Sequence, residues 1–291
     1  MNDATPGSIS DRLFAGLQSW LPQRWLAARM HSLARSRNPT VRKLLIGTVL
    51  RSYPQIQMSE AAEPDPYAYA SFNAFFTRAL RQGARPVAAG ERTIVSPVDG
   101  TVSQCGPVAD GHLIQAKGRT YSVASLLTDP RAAERYAAGR FACLYLAPYN
   151  YHRIHMPCAG ELRRTRYIPG KLFSVNAATS RTVEDLYAIN ERVVCEFETS
   201  IGAMAVVMVG ALLVGSIETV FAGELNPPTG SRAGAQDLAA GVGQRFAKGE
   251  ELGRFNMGST VILVFASSSV ALEGALLPGS AVRLGQAIAC G

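Results

Sequence analysis

Met257-Gly258-Ser259-Thr260 places a hydroxyl directly after a glycine, at the head of the apolar run Val261 to Phe265. Earlier segments supply a carboxylate and two imidazoles: Asp99 in Ser96-Pro97-Val98-Asp99-Gly100, and His152 and His155 in Tyr151-His152-Arg153-Ile154-His155-Met156-Pro157. Asp, His and Ser together can form a set in which the carboxylate orients the imidazole and the imidazole takes the hydroxyl proton. Taken singly, each segment also reads as ordinary turn or strand-edge chemistry. Two reactions are open to the hydroxyl. As a hydrolase nucleophile, Ser259 would attack a bound substrate and the chain would stay whole, but the Gly-x-Ser-x-Gly elbow is absent. Alternatively, Ser259 attacks the carbonyl of Gly258, whose lack of a side chain eases the approach. The peptide then shifts to an ester, and loss of the Ser α-proton eliminates it, cuts the chain and leaves dehydroalanine. Hydrolysis releases ammonia and leaves a pyruvoyl group on the new N-terminus. Such a ketone can form a Schiff base with a substrate amine and accept electrons from a departing carboxylate, as pyridoxal phosphate does. A third reading is a non-catalytic β module in which Ser-Pro-Val-Asp-Gly-Thr-Val is one hairpin.

These residues need a frame. From Pro86 onward, short β-rich runs alternate with turn residues: Thr93–Val95, Thr101–Gln104, Leu113–Ala116, Phe141–Leu146, Gly160–Tyr167, Arg192–Glu198, Met204–Val209, Leu212–Ala222, Ser259–Phe265 and Ala281–Ile288. Brief helices are expected near Val123–Thr128, Pro130–Ala138 and Val183–Ile189. Regular short strands without long crossover helices predict a mainly antiparallel, sandwich- or barrel-like body. The N-terminal stretch differs. Ile9, Leu13, Leu17 and Leu21 recur at helical spacing, with Ser10 or Asp11 as the expected cap. Pro22 interrupts the stripe; Trp25, Leu26, Met30 and Leu33 continue it, and Val41–Leu50 and Ser71–Leu80 offer further helices. The fold class is α+β, with a helical portion over 1–85 and a β-rich catalytic body over 86–291.

The chain has 291 residues, 47% hydrophobic and 18% charged, enough to bury a sizeable core. Residues 1–53 hold eight Lys/Arg against two acids, a net +6, out of +7 for the whole chain. Paired Trp, an apolar stripe and a basic face suit a helix lying on an anionic membrane surface; docking on the body is the competing expectation. Nucleic acid is disfavoured, since no basic–aromatic interleaving appears. Five widely spaced Cys without a CxxC pair argue against a disulfide framework or zinc and fit a reducing compartment. No signal peptide pattern is visible. The run Ala203 to Val214 is well short of the roughly 20 residues a bilayer span needs, and is expected as buried strand.

Several multi-residue motifs in one order carry a resemblance to a known family. They are Phe72-Asn73-x-Phe75-Phe76-Thr77-Arg78, Ser96-Pro97-x-Asp99-Gly100, Tyr151-His152-Arg153-x-His155-x-Pro157, Pro169-Gly170-x-Leu172-Phe173-Ser174-Val175-Asn176, and Gly249-Glu250-Glu251-Leu252-Gly253-x-Phe255-x-x-Gly258-Ser259-Thr260. From about residue 71 the chain resembles the proenzymes of phosphatidylserine decarboxylases, pyruvoyl-dependent enzymes of membrane-lipid synthesis. Met257 departs from the family's usual Leu, a change of similar size that should leave maturation intact. The resemblance implies self-cleavage between Gly258 and Ser259 into chains 1–258 and 259–291, which stay together as a heterodimer that could dimerise further. Ser259 would become the covalent pyruvoyl cofactor, with Asp99 and His155 as its self-processing partners and His152 assisting decarboxylation; no metal is implied. The substrate would be phosphatidylserine, converted to phosphatidylethanolamine, and the location the cytoplasmic face of the inner membrane.

Overall fold

Helix α1 (Ile9–Trp20) begins with a reciprocal cap: Ser8 Oγ accepts the Asp11 N–H at 3.1 Å and the Asp11 carboxylate accepts the Ser8 N–H at 3.2 Å. The cap therefore falls at Ser8, upstream of Ser10 or Asp11, because Ser8 and Asp11 together satisfy two otherwise orphaned donors. The computed structural model describes residues 8–116, 118–212, 216–225, 234–256 and 259–291. Met257 and Gly258, which carry one side of the expected cleavage bond, lie outside the described residues. Helix α2 (Gln23–Ala34) follows Pro22, and α3 (Pro39–Ser52) starts with Asn38 as cap and Pro39 in the first turn. Helix α4 spans Phe72–Phe76, shorter than the predicted Ser71–Leu80. It stops where the Thr77 carbonyl is taken by Arg153 Nε at 2.9 Å instead of continuing the helical ladder. Phe72, Phe75 and Phe76 close a small core with Ala34, Ile46 and Ile56.

Helix α1 does not sit on the body by its apolar stripe. Its buried residues are Ala15 and Gln18. Gln18 Nε2 donates to Ser174 Oγ at 3.0 Å, Gln18 Oε1 accepts the Ser174 N–H at 2.8 Å, and Asp11 pairs with Arg181 at 2.9 Å. Helical geometry then turns Ile9, Leu13 and Leu17 outward, with Leu13 70% and Trp20 87% exposed. No helix among the described residues is long and apolar enough to cross a membrane.

The body is built on an antiparallel sheet of nine strands. Eight run in the order Gln236–Leu238, Gly160–Ile168, Arg192–Thr199, Gly202–Val209, Ser259–Phe265, Arg140–Leu146, Gly100–Pro107 and Ala281–Val282; Arg245–Phe246 also pairs with Gly160–Ile168. Among the described residues this sheet does not close into a barrel. Its two faces meet two separate cores. Val261, Leu263 and Phe265 enter one, Ile262 and Val264 the other. Burial on both faces is why this run is continuously apolar rather than alternating. Smaller antiparallel sheets flank it, among them Gly223–Leu225, Ile217–Thr219, Glu251–Phe255 and Arg153–His155 in that order. The chain thus passes from the small sheet at Phe255 to the centre of the large one at Ser259, and the expected cleavage bond lies in that crossover.

Two strand expectations need correction. Of Leu212–Ala222 only Ile217–Thr219 is strand, forming a hairpin with Gly223–Leu225, while residues 213–215 lie outside the described residues. Ala281–Ile288 divides into Ala281–Val282 and Ala287–Cys290, which belong to different sheets. Gly285 makes the turn between them at φ 81°, where a Cβ would stand 2.5 Å from the Pro86 carbonyl oxygen. A helix over Ala177–Thr182, capped by Asn176, was not expected.

Candidate active site

Asp99 ends the turn after Thr93–Val95, in which Ser96 Oγ donates to the Val98 carbonyl at 2.7 Å. The strand beginning at Gly100 runs so close to its neighbour that a Cβ there would lie 2.6 Å from the Tyr145 carbonyl oxygen, so the Asp-Gly pair is a close approach of two strands. Asp99 is buried and fully engaged. Arg85 donates Nε to Oδ1 at 3.0 Å and Nη2 to Oδ2 at 2.7 Å, and the Leu284 N–H donates to Oδ1 at 2.8 Å. Arg85 also grips Glu60 at 2.7 Å, and hydrogen bonding to Asp99 holds its pKa above the usual range. Neither Arg85 nor Glu60 was singled out from the sequence, where nothing marks a charge pair so far apart in the chain.

His155 ends the strand Arg153–His155, and its N–H donates to the Pro97 carbonyl at 2.9 Å, joining it to the Asp99 turn. Its Nδ1 lies 2.8 Å from the Gly249 carbonyl, which can only accept, so Nδ1 carries the proton. Nε2 is then an acceptor, and the Tyr151 hydroxyl donates to it at 3.1 Å. Burial lowers the pKa of His155, against the opposing pull of the Gly249 hydrogen bond and the charges of Glu251 and Asp99. The imidazole is neutral at rest, yet the acids around it favour the cation once a proton arrives. Asp99 and Tyr151 line one cavity of about 220 Å³.

His152 is fully buried. Its Nδ1 donates to the Asn150 carbonyl at 2.8 Å, its ring lies against Phe76 with centroids 4.1 Å apart, and its Nε2 has no partner among the described residues. Burial pushes its pKa down to about 3. Its carbonyl accepts the Phe255 N–H at 3.0 Å. The next residue, Asn256, donates Nδ2 to Ser216 Oγ at 2.7 Å and accepts Asn73 Nδ2 at 3.1 Å. The chain entering the expected cleavage bond is therefore clamped by His152, Ser216 and Asn73. Ser259 opens the central strand opposite Leu146, buried, with its Oγ unpartnered among the described residues.

The structure thus joins His155 to the Asp99 turn through backbone and to Tyr151 through its ring, and joins His152 to the segment before Ser259. Among the described residues no hydrogen bond links Asp99 to His155, or either to Ser259. The clamp residues Asn73, Ser216 and Asn256 escaped sequence reasoning; Asn73 stood inside a quoted motif, but no periodicity could pair it with Asn256.

A serine hydroxyl that is buried and unpartnered among the described residues thus follows a glycine in the sequence, and the same body holds two neutral imidazoles and a buried carboxylate. The family model described as phosphatidylserine decarboxylase matches residues 72–290, and one described as PSD matches residues 13–54. Curated relatives carry the name phosphatidylserine decarboxylase proenzyme. That of Vibrio cholerae is 46% identical over 279 residues, covering 95% of this chain and 98% of the relative. That of Xanthomonas campestris pv. campestris is 47% identical over 277 residues, covering 95% and 98%. That of Shewanella loihica is 47% identical over 283 residues, covering 96% and 99%. The chain belongs to the phosphatidylserine decarboxylase family.

Proposed function

We propose that this chain is a phosphatidylserine decarboxylase that makes its own pyruvoyl cofactor by cleaving the Gly258–Ser259 bond, and that it converts phosphatidylserine to phosphatidylethanolamine. Family membership leaves the uncleaved-hydrolase and binding-module readings without support. The observation that carries the self-processing step is Ser259 Oγ, a buried hydroxyl without a partner among the described residues at the entry to the central strand. A buried hydroxyl is normally hydrogen-bonded, and a catalytic role is one reason for a hydroxyl to go without a protein partner. Its surroundings fit the cofactor it would become, since among the described residues no charged side chain bonds its hydroxyl and the strand behind it is buried throughout.

In the proposed reaction Ser259 Oγ bonds to the Gly258 carbonyl carbon as His155 Nε2 takes the hydroxyl proton. Tyr151, which already bonds that nitrogen, must yield it. Asp99 acts through field rather than contact, favouring the imidazolium as it forms. The amide nitrogen gains a proton and the C–N bond breaks, leaving an ester. Loss of the Ser259 α-proton expels the Gly258 carboxylate, and one water converts dehydroalanine into ammonia and the pyruvoyl carbonyl. That carbonyl supplies the electron sink for the carboxylate's departure. His152 is assigned to decarboxylation: neutral and desolvated, it gives the substrate carboxylate an apolar wall that favours loss of its charge.

The N-terminal helices are proposed to hold the enzyme peripherally on the anionic cytoplasmic face of the inner membrane. Helix α1 is fixed to the body by polar contacts and turns its apolar stripe to the outside, beside Trp25 and the basic Arg12, Arg24 and Arg29. The decisive experiment is intact mass of the purified protein followed by release of carbon dioxide from phosphatidylserine vesicles. Two chains, 1–258 and a pyruvoyl-started 259–291, with lipid-dependent release are expected. One uncleaved chain with turnover would overturn the cofactor.

A further inference from the structure

Arg78 is a buried guanidinium without a counter-ion among the described residues. It is 6% exposed, its Nε is sealed off with no hydrogen-bond partner among the described residues, and its Nη1 makes one long contact of 3.4 Å to the Phe75 carbonyl. Its charge lies over the Phe75 ring at 5.4 Å. The carboxylates near it, Asp99 and Glu60, are both committed to Arg85. Arg192 shows how this protein satisfies a buried arginine that only supports the fold. It donates to the carbonyls of Leu126 at 2.7 Å, Asn190 at 2.8 Å and Ser125 at 2.7 Å, and to Thr128 Oγ1 at 3.1 Å. The other arginines around Arg78 are also matched, Arg35 by Glu224, Arg153 by Glu251 and Arg254 by Glu218. A desolvated charge with idle donors is unfavourable unless an anion arrives to use them.

Its position says which anion. Arg78 lines a cavity of about 540 Å³ with Asn73, Thr77 and Arg153, and also lines the smaller cavity of Asp99 and Tyr151. The segment that presents it touches both sides of the candidate site: Asn73 bonds Asn256, and Phe76 lies on His152. Resting on the decarboxylase reading above, we propose that Arg78 binds the phosphodiester of the lipid headgroup and leaves the serine carboxylate without a cation. A guanidinium on the carboxylate would stabilise the charge that the reaction must remove. The phosphodiester passes unchanged through the reaction, so its binding is the same in ground and transition states and appears in KM rather than kcat. A guanidinium also matches a phosphate with paired donors, which a lysine cannot reproduce.

The test uses Arg78→Gln and Arg78→Lys beside the unmodified protein, each scored on chains shown by intact mass to have cleaved. Kinetics on phosphatidylserine in mixed micelles are expected to show KM raised about tenfold or more in the Gln variant and less in the Lys variant, with kcat within about twofold. Glycerophosphoethanolamine, a phosphodiester without a carboxylate, should inhibit the unmodified enzyme competitively and lose that effect in the Gln variant. Unchanged KM, a fall confined to kcat, or inhibition retained in the Gln variant would each overturn the assignment. So would free serine inhibiting better than glycerophosphoethanolamine, which would put Arg78 on the carboxylate, or inorganic phosphate inhibiting equally well, which would make this a general anion site. If the Gln variant does not fold, the Lys variant and the inhibitor ranking decide the matter. Absence of decarboxylation by the unmodified protein would defeat the underlying reading; calorimetric titration with glycerophosphoethanolamine would still test Arg78, with binding lost in the Gln variant or weakened in the Lys variant supporting the site and binding equal to that of the unmodified protein refuting it.

Discussion

At the scale of single residues, the site consists of groups whose resting partners must change before chemistry starts. Ser259 Oγ has none among the described residues, His155 Nε2 is occupied by Tyr151, and Asp99 is paired with Arg85. Ser259→Ala should give a single full-length chain on mass analysis, and efficient cleavage of that variant would remove Ser259 as nucleophile. His155→Ala should likewise block maturation, because no other base is assigned to the hydroxyl proton. His152→Ala should still cleave but lose activity on phosphatidylserine by about a hundredfold, the lower range for a positioned catalytic group. Normal turnover there would free His152 of its role. Arg85→Ala is predicted to slow maturation as well, since it leaves the buried Asp99 carboxylate short of its main partner.

At the scale of elements, two features decide where the chemistry happens. The crossover from Glu251–Phe255 to Ser259–Phe265 is gripped at Phe255 and Asn256 on one side and enters a seven-residue strand, buried throughout, on the other. If the Gly258–Ser259 bond is cut as proposed, the new N-terminus belongs to a strand buried along its whole length. Helix α1 is the second feature, with its polar side inward. Replacing Leu13 and Trp20 together by Ser should weaken binding to anionic vesicles at least tenfold while the melting temperature stays within a few degrees, because neither side chain is buried in the body. Retained vesicle binding would place the membrane contact elsewhere.

At the scale of the whole molecule, the N-terminal helices and the body meet at a buried acid. Glu191 is buried, and Arg24 of α2 stands 3.9 Å from one of its oxygens. Burial pushes its pKa up to about 7 from 4.5. The folded chain therefore holds a proton that the unfolded chain has released between those values, and stability falls as pH rises through that window. Glu191→Gln should flatten the decline and raise stability at pH 8 by about 1–3 kcal/mol, measured by denaturant unfolding at several pH values. An unchanged pH profile would mean that Arg24 already compensates the charge.

Local signals carried much of this protein. Helical spacing and Pro22 announced the N-terminal helices, and continuous apolar runs announced the strands buried on both faces. Asp99, His152, His155 and Ser259 were named by residue type and by motif order. Turn chemistry was less legible: Gly285 divides a predicted strand, because a positive φ and the nearby Pro86 backbone are facts of packing. Partnerships were not legible at all. Arg85 with Asp99, Asn73 with Asn256, and the isolation of Arg78 join positions far apart in sequence, and no period connects them. Nor could spacing say which way the α1 stripe faces, since an amphipathic helix obeys the same pattern against a core or a lipid surface. The amino-acid order determined the elements and the chemical groups, because propensity and hydrophobic period act over a few residues; the tertiary structure decided which charges are neutralised and which stay free, because that depends on what burial brings within hydrogen-bond reach.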